Sequence, residues 1–319
     1  MVVARVRRTL RDRGLIEPGM RVLAACSGGP DSAAMLVALA RLRSELDFEL
    51  HAASVDHGLR PLAAIDVERA RAQALNQDVP FHALRVQVLS GASLQAGARE
   101  ARYAALHGLA AQLGAQRIAV GHTREDQAET VLMRVLHGAG VHGLAGIEPL
   151  RADGVMRPLI DCARADVAAF AAQHAGVLAH DPSNSDPRFE RVRIRHELLP
   201  MLERENAAIA SHLGNLADDA RGVSQALDWA ARRLLEDSLQ HDESIDLSTW
   251  KSVPEEVRRR ALARWIARVT GVSPGRAHLE ALSCAPERCC EVWLTGGFTA
   301  RNHGDQVLRV TRDVRAAEP

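Results

Sequence analysis

Residues 21–36, RVLAACSGGPDSAAML, set an apolar run of strand character directly before an apolar run of helical character, with only Ser27-Gly28-Gly29-Pro30-Asp31-Ser32 between them. A strand that becomes a helix over so few residues begins a βα unit, and the free N–H groups of the helix start face whatever lies beyond the strand end. Gly28 and Gly29 remove Cβ atoms where the backbone must approach an anion, while Ser27 and Ser32 add hydroxyls beside the free amides. Pro30 suits a first helical turn, where its missing N–H costs nothing. The loop thus has the size and the donors for a phosphate. No Gly-Lys-Ser/Thr triplet follows, so it is not a Walker A loop. Asp31 is the odd member, because a carboxylate among phosphate donors repels the ligand unless it faces a metal ion or another cation. The bland alternative is a glycine-rich turn with an ordinary helix cap.

The same alternation continues along the chain. Residues 49–55, 81–89 and 117–120 read as strands, and 64–78, 94–113 and 125–136 carry helical spacing. Strands alternating with helices of this length predict an α/β fold, a doubly wound and mainly parallel sheet with ligands at the carboxyl ends of its strands. The 27–32 loop, the Asp56-His57-Gly58 turn and the Gly121-His122 turn each follow a strand and so fall on one edge. From about residue 206 the texture changes to amphipathic helix (206–240 and 254–270), and EVWLTGGFTARNHGDQVLRV holds two β-like runs joined by glycine-containing turns. Two domains are expected, 1–205 and 206–319, the second smaller and mostly helical with a small terminal β element.

Once a helix starts near Arg124, Asp126, Glu129 and Thr130 share a face by three- and four-residue spacing. An acidic first turn that only complements the helix dipole would look the same. On the edge that carries the phosphate loop, Asp126 and Glu129 are instead placed to hold a cationic substrate group or Mg²⁺. Arg99 and Arg102 lie three apart in a helix that precedes the fourth strand, and one of them can reach a phosphate or a carboxylate with both arms of its fork. His57 and His122 sit at strand ends near the expected nucleotide. In DPSNSDPRFERVRIRHELLP, Arg188, Arg191, Arg193 and Arg195 interleave with Phe189, Val192 and Ile194, reading as a basic strip for backbone phosphates or, equally, as a solvated face balanced by Glu190 and Glu197.

Composition narrows the choices. Lys+Arg and Asp+Glu number 40 each, so a nucleic-acid partner must be met by a local patch. Five cysteines form no C-x-x-C pair, which argues against a zinc ribbon or an iron–sulfur cluster. Neither a membrane span nor the apolar core of a signal peptide is found, so a soluble cytoplasmic protein is expected, with a homodimer as an allowed assembly.

Taken together, SGGPDS, VDHGLRP, AREARY, GHTREDQAETVL, HGAGVHGLAGI, RPLI and DPSNSDPRFERVRIR, in that order over about residues 21–200, resemble the tRNA(Ile)-lysidine synthetases, members of the N-type ATP pyrophosphatases or PP-loop superfamily. The resemblance implies that ATP adenylates the C2 oxygen of the wobble cytidine in tRNA(Ile) with a CAU anticodon, and that the ε-amine of free L-lysine then displaces AMP. It implies an ATP site at Ser27, Gly28, Gly29, Pro30, Asp31, Ser32, His57, Gly121 and His122, with Asp31 near Mg²⁺ and the reacting phosphate. Asp126 and Glu129 would surround the lysine ammonium, and Arg99 would take the lysine carboxylate or the AMP phosphate. Asp31 and Asp126 are the expected catalytic residues, and Arg188, Arg191, Arg193 and Arg195 the expected tRNA contacts. Two departures stand out. Members often carry Arg-Gly where this chain has His137-Gly138, and R-N-x-x-R where it has Arg191-Val192-Arg193-Ile194-Arg195. A tRNA cytidine thiolase and amide-forming ligases share the loop, and a catalytically silent nucleotide- or RNA-binding protein is the reading from a different class.

Overall fold

A computed structural model describes residues 1–56, 63–86, 94–178 and 188–312. They form two compact units, Met1–Asp219 and Ala220–Pro319. The observed division lies beyond the expected boundary at 205 and falls inside a single 30-residue helix, Ile209–Ser238, which runs from the first unit into the second without a break.

In chain order the first unit contains α1 (Val2–Asp12), β1 (Arg21–Ala25), α2 (Pro30–Leu42), β2 (Glu49–Asp56), α3 (Ala63–Leu75), β3 (Phe81–Arg85), α4 (Leu94–Leu113), β4 (Arg117–Ala119), α5 (Arg124–Leu136), α6 (Val141–Leu144), β5 (Val155–Met156), α7 (Arg164–His174), α8 (Glu190–Arg193) and α9 (Leu199–Glu205), followed by the start of α10 (Ile209–Ser238). A π-helical turn, Ile194–Leu198, joins α8 to α9. The five strands pair in parallel in the order β3-β2-β1-β4-β5. Val22, Leu23 and Ala24 of β1 are fully buried, as a central parallel strand covered on both faces requires. One face packs against α1, α2, α3 and α7, with Val6, Leu10, Met35, Leu36, Leu39 and Val167 at its heart. The other is closed by α4 through Leu106, Leu109 and Ala110 against Leu23, Ile118 and Val155. Residues 30–42 are helical and apolar on nearly every side because α2 is wrapped by protein, each large side chain there contributing about 1.5–3 kcal/mol of burial.

The doubly wound parallel sheet is as expected, and four features extend it: the amphipathic helix α1, the short fifth strand, α7 and α6, none of which has a strong local signal. No helix among the described residues is long and apolar enough to cross a membrane.

The second unit contains the remainder of α10, β6 (Ile245–Asp246), a 3₁₀ turn (Trp250–Ser252), α11 (Glu255–Thr270), α12 (Arg276–Leu282), β7 (Cys290–Leu294), β8 (Phe298–Asn302) and β9 (Val307–Arg312). Its sheet is antiparallel, order β6-β9-β8-β7, so the terminal β element is larger than the two runs the sequence suggests. Trp250 and Trp265 fill the core, and each buried indole N–H finds an acceptor at 2.8 Å, the hydroxyl of Ser238 and the carbonyl of Glu243.

Candidate active site

The winding of the sheet reverses between β1 and β4. Loops leaving the carboxyl ends of these adjacent strands diverge and open a crevice, the general ligand position of such sheets. The 27–32 loop leaves β1 and the 121–123 turn leaves β4, so two of the three expected strand-end motifs flank the crevice. His57, of the third, lies outside the described residues, as do residues 181–187 of the basic segment.

The phosphate loop is shaped by its own side chains. Gly28 takes a left-handed φ of +78°, and Gly29 caps α2 in extended conformation. The Ser32 hydroxyl donates to the Gly29 carbonyl at 3.0 Å and accepts the Ser27 amide at 3.1 Å, closing a ring that leaves the first α2 amides facing outward. The side-chain amide of the buried Gln73 donates to the Gly28 carbonyl at 3.1 Å and pins the loop from α3. Across the crevice, Gly121 packs so tightly on α2 that a Cβ there would lie 3.1 Å from the backbone of Asp31 and Ser32. That approach is why glycine precedes the histidine.

Asp31 and His122 carry opposite perturbations. Burial and the neighbouring Asp126 push the Asp31 carboxyl up to about 6, against the pull of Arg164 and Arg195. Burial pushes the His122 imidazole down to about 4, so it is neutral at physiological pH, and its buried Nδ1 has no protein partner. A neutral imidazole with an open nitrogen and a carboxyl held between its two states mark a ligand-facing site.

Beside them lies a densely bonded cluster of two carboxylates and three guanidiniums. Asp126 is the third residue of α5, and its Oδ2 accepts from both the amide (2.8 Å) and the hydroxyl (2.9 Å) of Thr123 in a capping box. Its Oδ1 accepts from Arg164 (3.1 Å), Arg191 (2.9 Å) and Arg195 (3.1 Å). Glu129 is 0% exposed and accepts from Arg164 (2.9 Å) and Arg195 (2.7 Å) on Oε1 and from Arg191 (2.9 Å) and Arg195 (3.0 Å) on Oε2. Burial raises both carboxyls, but the guanidiniums outweigh it and hold Asp126 and Glu129 below the usual carboxylate range. Three guanidiniums thus share two buried carboxylates beside the phosphate loop.

This arrangement corrects the reading of the basic segment as one surface strip. Residues 190–205 are helical, so Arg191 and Arg195 lie one turn apart and turn together onto Asp126 and Glu129, while Arg188 and Arg193 are exposed. The neighbouring departure, His137, joins the same segment through Glu190 at 3.0 Å. Arg164 was not anticipated: it opens α7, its amide caps onto Glu125 at 2.7 Å, and nothing in its local sequence marks it. Arg99 is exposed on α4 and stacks over Tyr103, 5.1 Å from the ring centre. Arg157, directly after β5, is 3% exposed and was likewise not singled out.

Residues 2–202 match the family model of the PP-loop domain, and residues 245–304 that of the TilS substrate binding domain. The chain is 43% identical over 233 residues to the tRNA(Ile)-lysidine synthase of Symbiobacterium thermophilum, covering 70% of this chain and 48% of that protein. It is 37% identical over 281 residues to that of Geobacter sulfurreducens, covering 85% and 59%. With the protein of the same name from Thermobifida fusca it shares 35% over 318 residues, covering 97% and 96%. The chain therefore spans about half the length of the first two relatives and nearly all of the third. Among solved structures, the U34-tRNA thiolase NcsA from Methanococcus maripaludis with its 4Fe-4S cluster superposes with a TM-score of 0.58 at 17% identity, covering 68% of this chain and 76% of that one. At that identity the likeness is one of fold.

Proposed function

Because this chain belongs to the tRNA(Ile)-lysidine synthase family, with a PP-loop domain and a TilS substrate binding domain, we propose that it ligates free L-lysine to C2 of the wobble cytidine of tRNA(Ile) bearing a CAU anticodon. In the first step the cytidine O2 attacks the α-phosphorus of ATP, the bond to the bridging oxygen breaks and pyrophosphate leaves. In the second the lysine ε-amine attacks C2, the C–O bond breaks, AMP leaves and the amine loses a proton.

The observation that carries this reading is the juxtaposition, at one switch point, of a phosphate loop and a buried carboxylate pair held among arginines. The outward amides of the 28–32 loop suit the ATP phosphates, and the neighbouring guanidiniums of Arg164, Arg191 and Arg195 suit the charge that develops on the reacting phosphate. His122 stays neutral and offers Nδ1 to a nucleoside hydroxyl or amine. Asp126 and Glu129 are the buried carboxylates available to a lysine ammonium, which must displace a guanidinium to reach them, and Arg191, with a side chain 39% exposed, is the most accessible of the three. Arg99 remains the candidate for the lysine carboxylate or the AMP phosphate.

Mg²⁺ fits Asp31. A half-buried carboxylate pushed upward by desolvation and then by a like charge is relieved by a cation, and the octahedral ion needs only one or two carboxylates when phosphates and water complete its shell. When bound it would neutralise charge on the phosphates.

Incubation with ATP, labelled lysine and unmodified tRNA(Ile) bearing CAU, with methionine tRNA as control, tests the proposal. ATP-dependent label in the isoleucine tRNA alone is expected. Label in neither tRNA, or label that does not require ATP, would remove it.

A further inference from the structure

In the second unit, three of the chain's five cysteines are brought to one corner of the small sheet by a single asparagine. Asn302 of β8 is buried and pairs across the ladder with Cys290, the first residue of β7. Its side-chain amide donates to the carbonyl of Ala285, the residue after Cys284, at 2.7 Å, and its side-chain carbonyl accepts the Gly304 amide at 2.8 Å. Gly304 has a left-handed φ of +94°, and a Cβ there would lie 3.0 Å from the Cys289 sulfur, so the turn after β8 leaves room for that sulfur.

The three thiols differ in their surroundings. Cys284 is half-buried in the turn that follows α12. Its carbonyl accepts the amides of Glu287 (2.9 Å) and Arg288 (3.2 Å), and this helical turn carries Arg288 back beside it, where Nε donates to the Cys284 sulfur at 3.2 Å. The Cys284 thiol itself donates to the Ala281 carbonyl at 3.1 Å. Cys289 is exposed, whereas Cys290 packs against the core that holds Leu282 and Ala285. Burial, and then the neighbouring Cys284 and Cys289, push the Cys290 thiol up, so it keeps its proton at neutral pH. The other two cysteines, Cys26 and Cys162, are 3% and 1% exposed, and burial pushes both up to about 12. Among the described residues no group of cysteines, histidines and carboxylates is arranged to hold a metal ion. Reactive thiols combine solvent access with a cationic neighbour, and Cys284 has both, with a second thiol at hand.

We propose that Cys284 is a peroxide-reactive thiol and Cys290 its resolving partner, giving the second unit a reversible oxidation site outside the crevice. The Cys284 thiolate sulfur attacks one oxygen of a hydroperoxide, the O–O bond breaks, and the displaced oxygen takes up a proton and leaves as water or an alcohol. Cys284 is thereby oxidised by two electrons to the sulfenic acid and the peroxide is reduced. The Cys290 sulfur then attacks the sulfenic sulfur, an S–S bond forms, the S–O bond breaks, and the hydroxyl leaves as water with the Cys290 proton. Only residues 285–289 separate the two cysteines, and they form a turn outside the sheet, so closing the bond asks for movement of that turn alone. Cys289 is the more accessible thiol, but the guanidinium is bonded to Cys284. The site does not depend on the tRNA reading.

The test is peptide mapping by mass spectrometry of the full chain after timed exposure to hydrogen peroxide, with unreacted thiols blocked before digestion. A Cys284–Cys290 linkage that dithiothreitol removes is expected, with Cys26 and Cys162 unmodified. In Cys290→Ser, a 1,3-dione probe for sulfenic acid should label Cys284, and Arg288→Gln should slow oxidation of Cys284 about 10-fold. Accessibility alone gives the opposite order, with Cys289 reacting first. Melting temperatures show which variants are folded, and should Cys290→Ser melt early, the wild-type time course, Cys284 before Cys289, decides the same question. Oxidation of Cys289 ahead of Cys284, an unchanged rate in folded Arg288→Gln, or oxidation of Cys284 to the sulfinic acid without linkage to Cys290 overturns the proposal.

Discussion

Replacing Asp31 by Asn should make the protein more stable and inactive at once. Burial and Asp126 push the Asp31 carboxyl up to about 6 from an ordinary 3.8, and among the described residues no donor hydrogen-bonds to it that Asn would forfeit. A separation of roughly two pH units at 1.36 kcal/mol per unit is about 3 kcal/mol. The sign follows from proton counting. The unfolded chain releases this proton near pH 4 and the folded chain near 6, so between those values the folded state holds more protons. Wild-type stability therefore falls as pH rises through that window, and above it the loss is complete. Asn never ionises and escapes the loss. Allowing for partial screening by Arg164 and Arg195, Asp31→Asn is expected to gain about 2–3 kcal/mol at pH 7.5, or roughly 4–12 °C in Tm for a unit of this size. The gain shrinks below about 1 kcal/mol at pH 4.5. Thermal melts followed by circular dichroism at pH 4.5, 6 and 7.5, with lysine incorporation measured on the same preparations, check both halves. A variant no more stable than wild type at pH 7.5, or equally stabilised at every pH, refutes the electrostatic account. Retained turnover refutes the assignment of Asp31 to the reaction.

Glu129→Gln acts in the opposite direction. Removing one partner of a buried ion cluster costs about 3–5 kcal/mol, reduced here to about 2–4 because the three guanidiniums are partly exposed. Since the folded Glu129 lies below its ordinary value, that stabilisation is present at neutral pH and fades as pH falls below the ordinary carboxylate range and through the folded value, so urea melts of variant and wild type should converge on acidification; a difference within about 0.5 kcal/mol at pH 7.5 contradicts the cluster. Gly121→Ala puts a Cβ at 3.1 Å from the first turn of α2 and should weaken ATP binding about 10-fold by calorimetry, an unaltered affinity counting against the close approach. Trp250→Phe leaves the buried Ser238 hydroxyl without its 2.8 Å indole donor and should cost about 1–3 kcal/mol in a denaturant titration, whereas a neutral result would mean the bond contributes nothing net.

What the sequence made legible was local. The loop after β1 was readable because strand, glycines, proline and helix follow one another without interruption, and α4 was bounded at Leu94–Leu113, the limits the pattern suggests. Asp126 and Glu129 were paired correctly because helix spacing is a local rule. Their partners were not, because Arg164, Arg191 and Arg195 come from α7 and from the α8–π segment, and only tertiary packing brings these to α5. The alternating arginines of residues 188–195 suggested a strip, whereas helical geometry divides them by face. Arg157 was hidden for a different reason: a buried arginine bonded to carbonyls leaves no periodic signature, and its position just past a two-residue strand gave no pattern to read.

The wide sequence separation of the crevice's parts also governs how the chain matures. Synthesis delivers the phosphate loop early, the acidic pair of α5 later, and Arg191 and Arg195 last. A nascent chain halted before Glu190 has the amides for a nucleotide, yet Asp126 and Glu129 would be left with Arg164 as their sole guanidinium. Two buried carboxylates so poorly compensated disfavour the folded crevice. The crevice is therefore complete only when the helical segment beyond residue 190 has brought Arg191 and Arg195 onto Asp126 and Glu129.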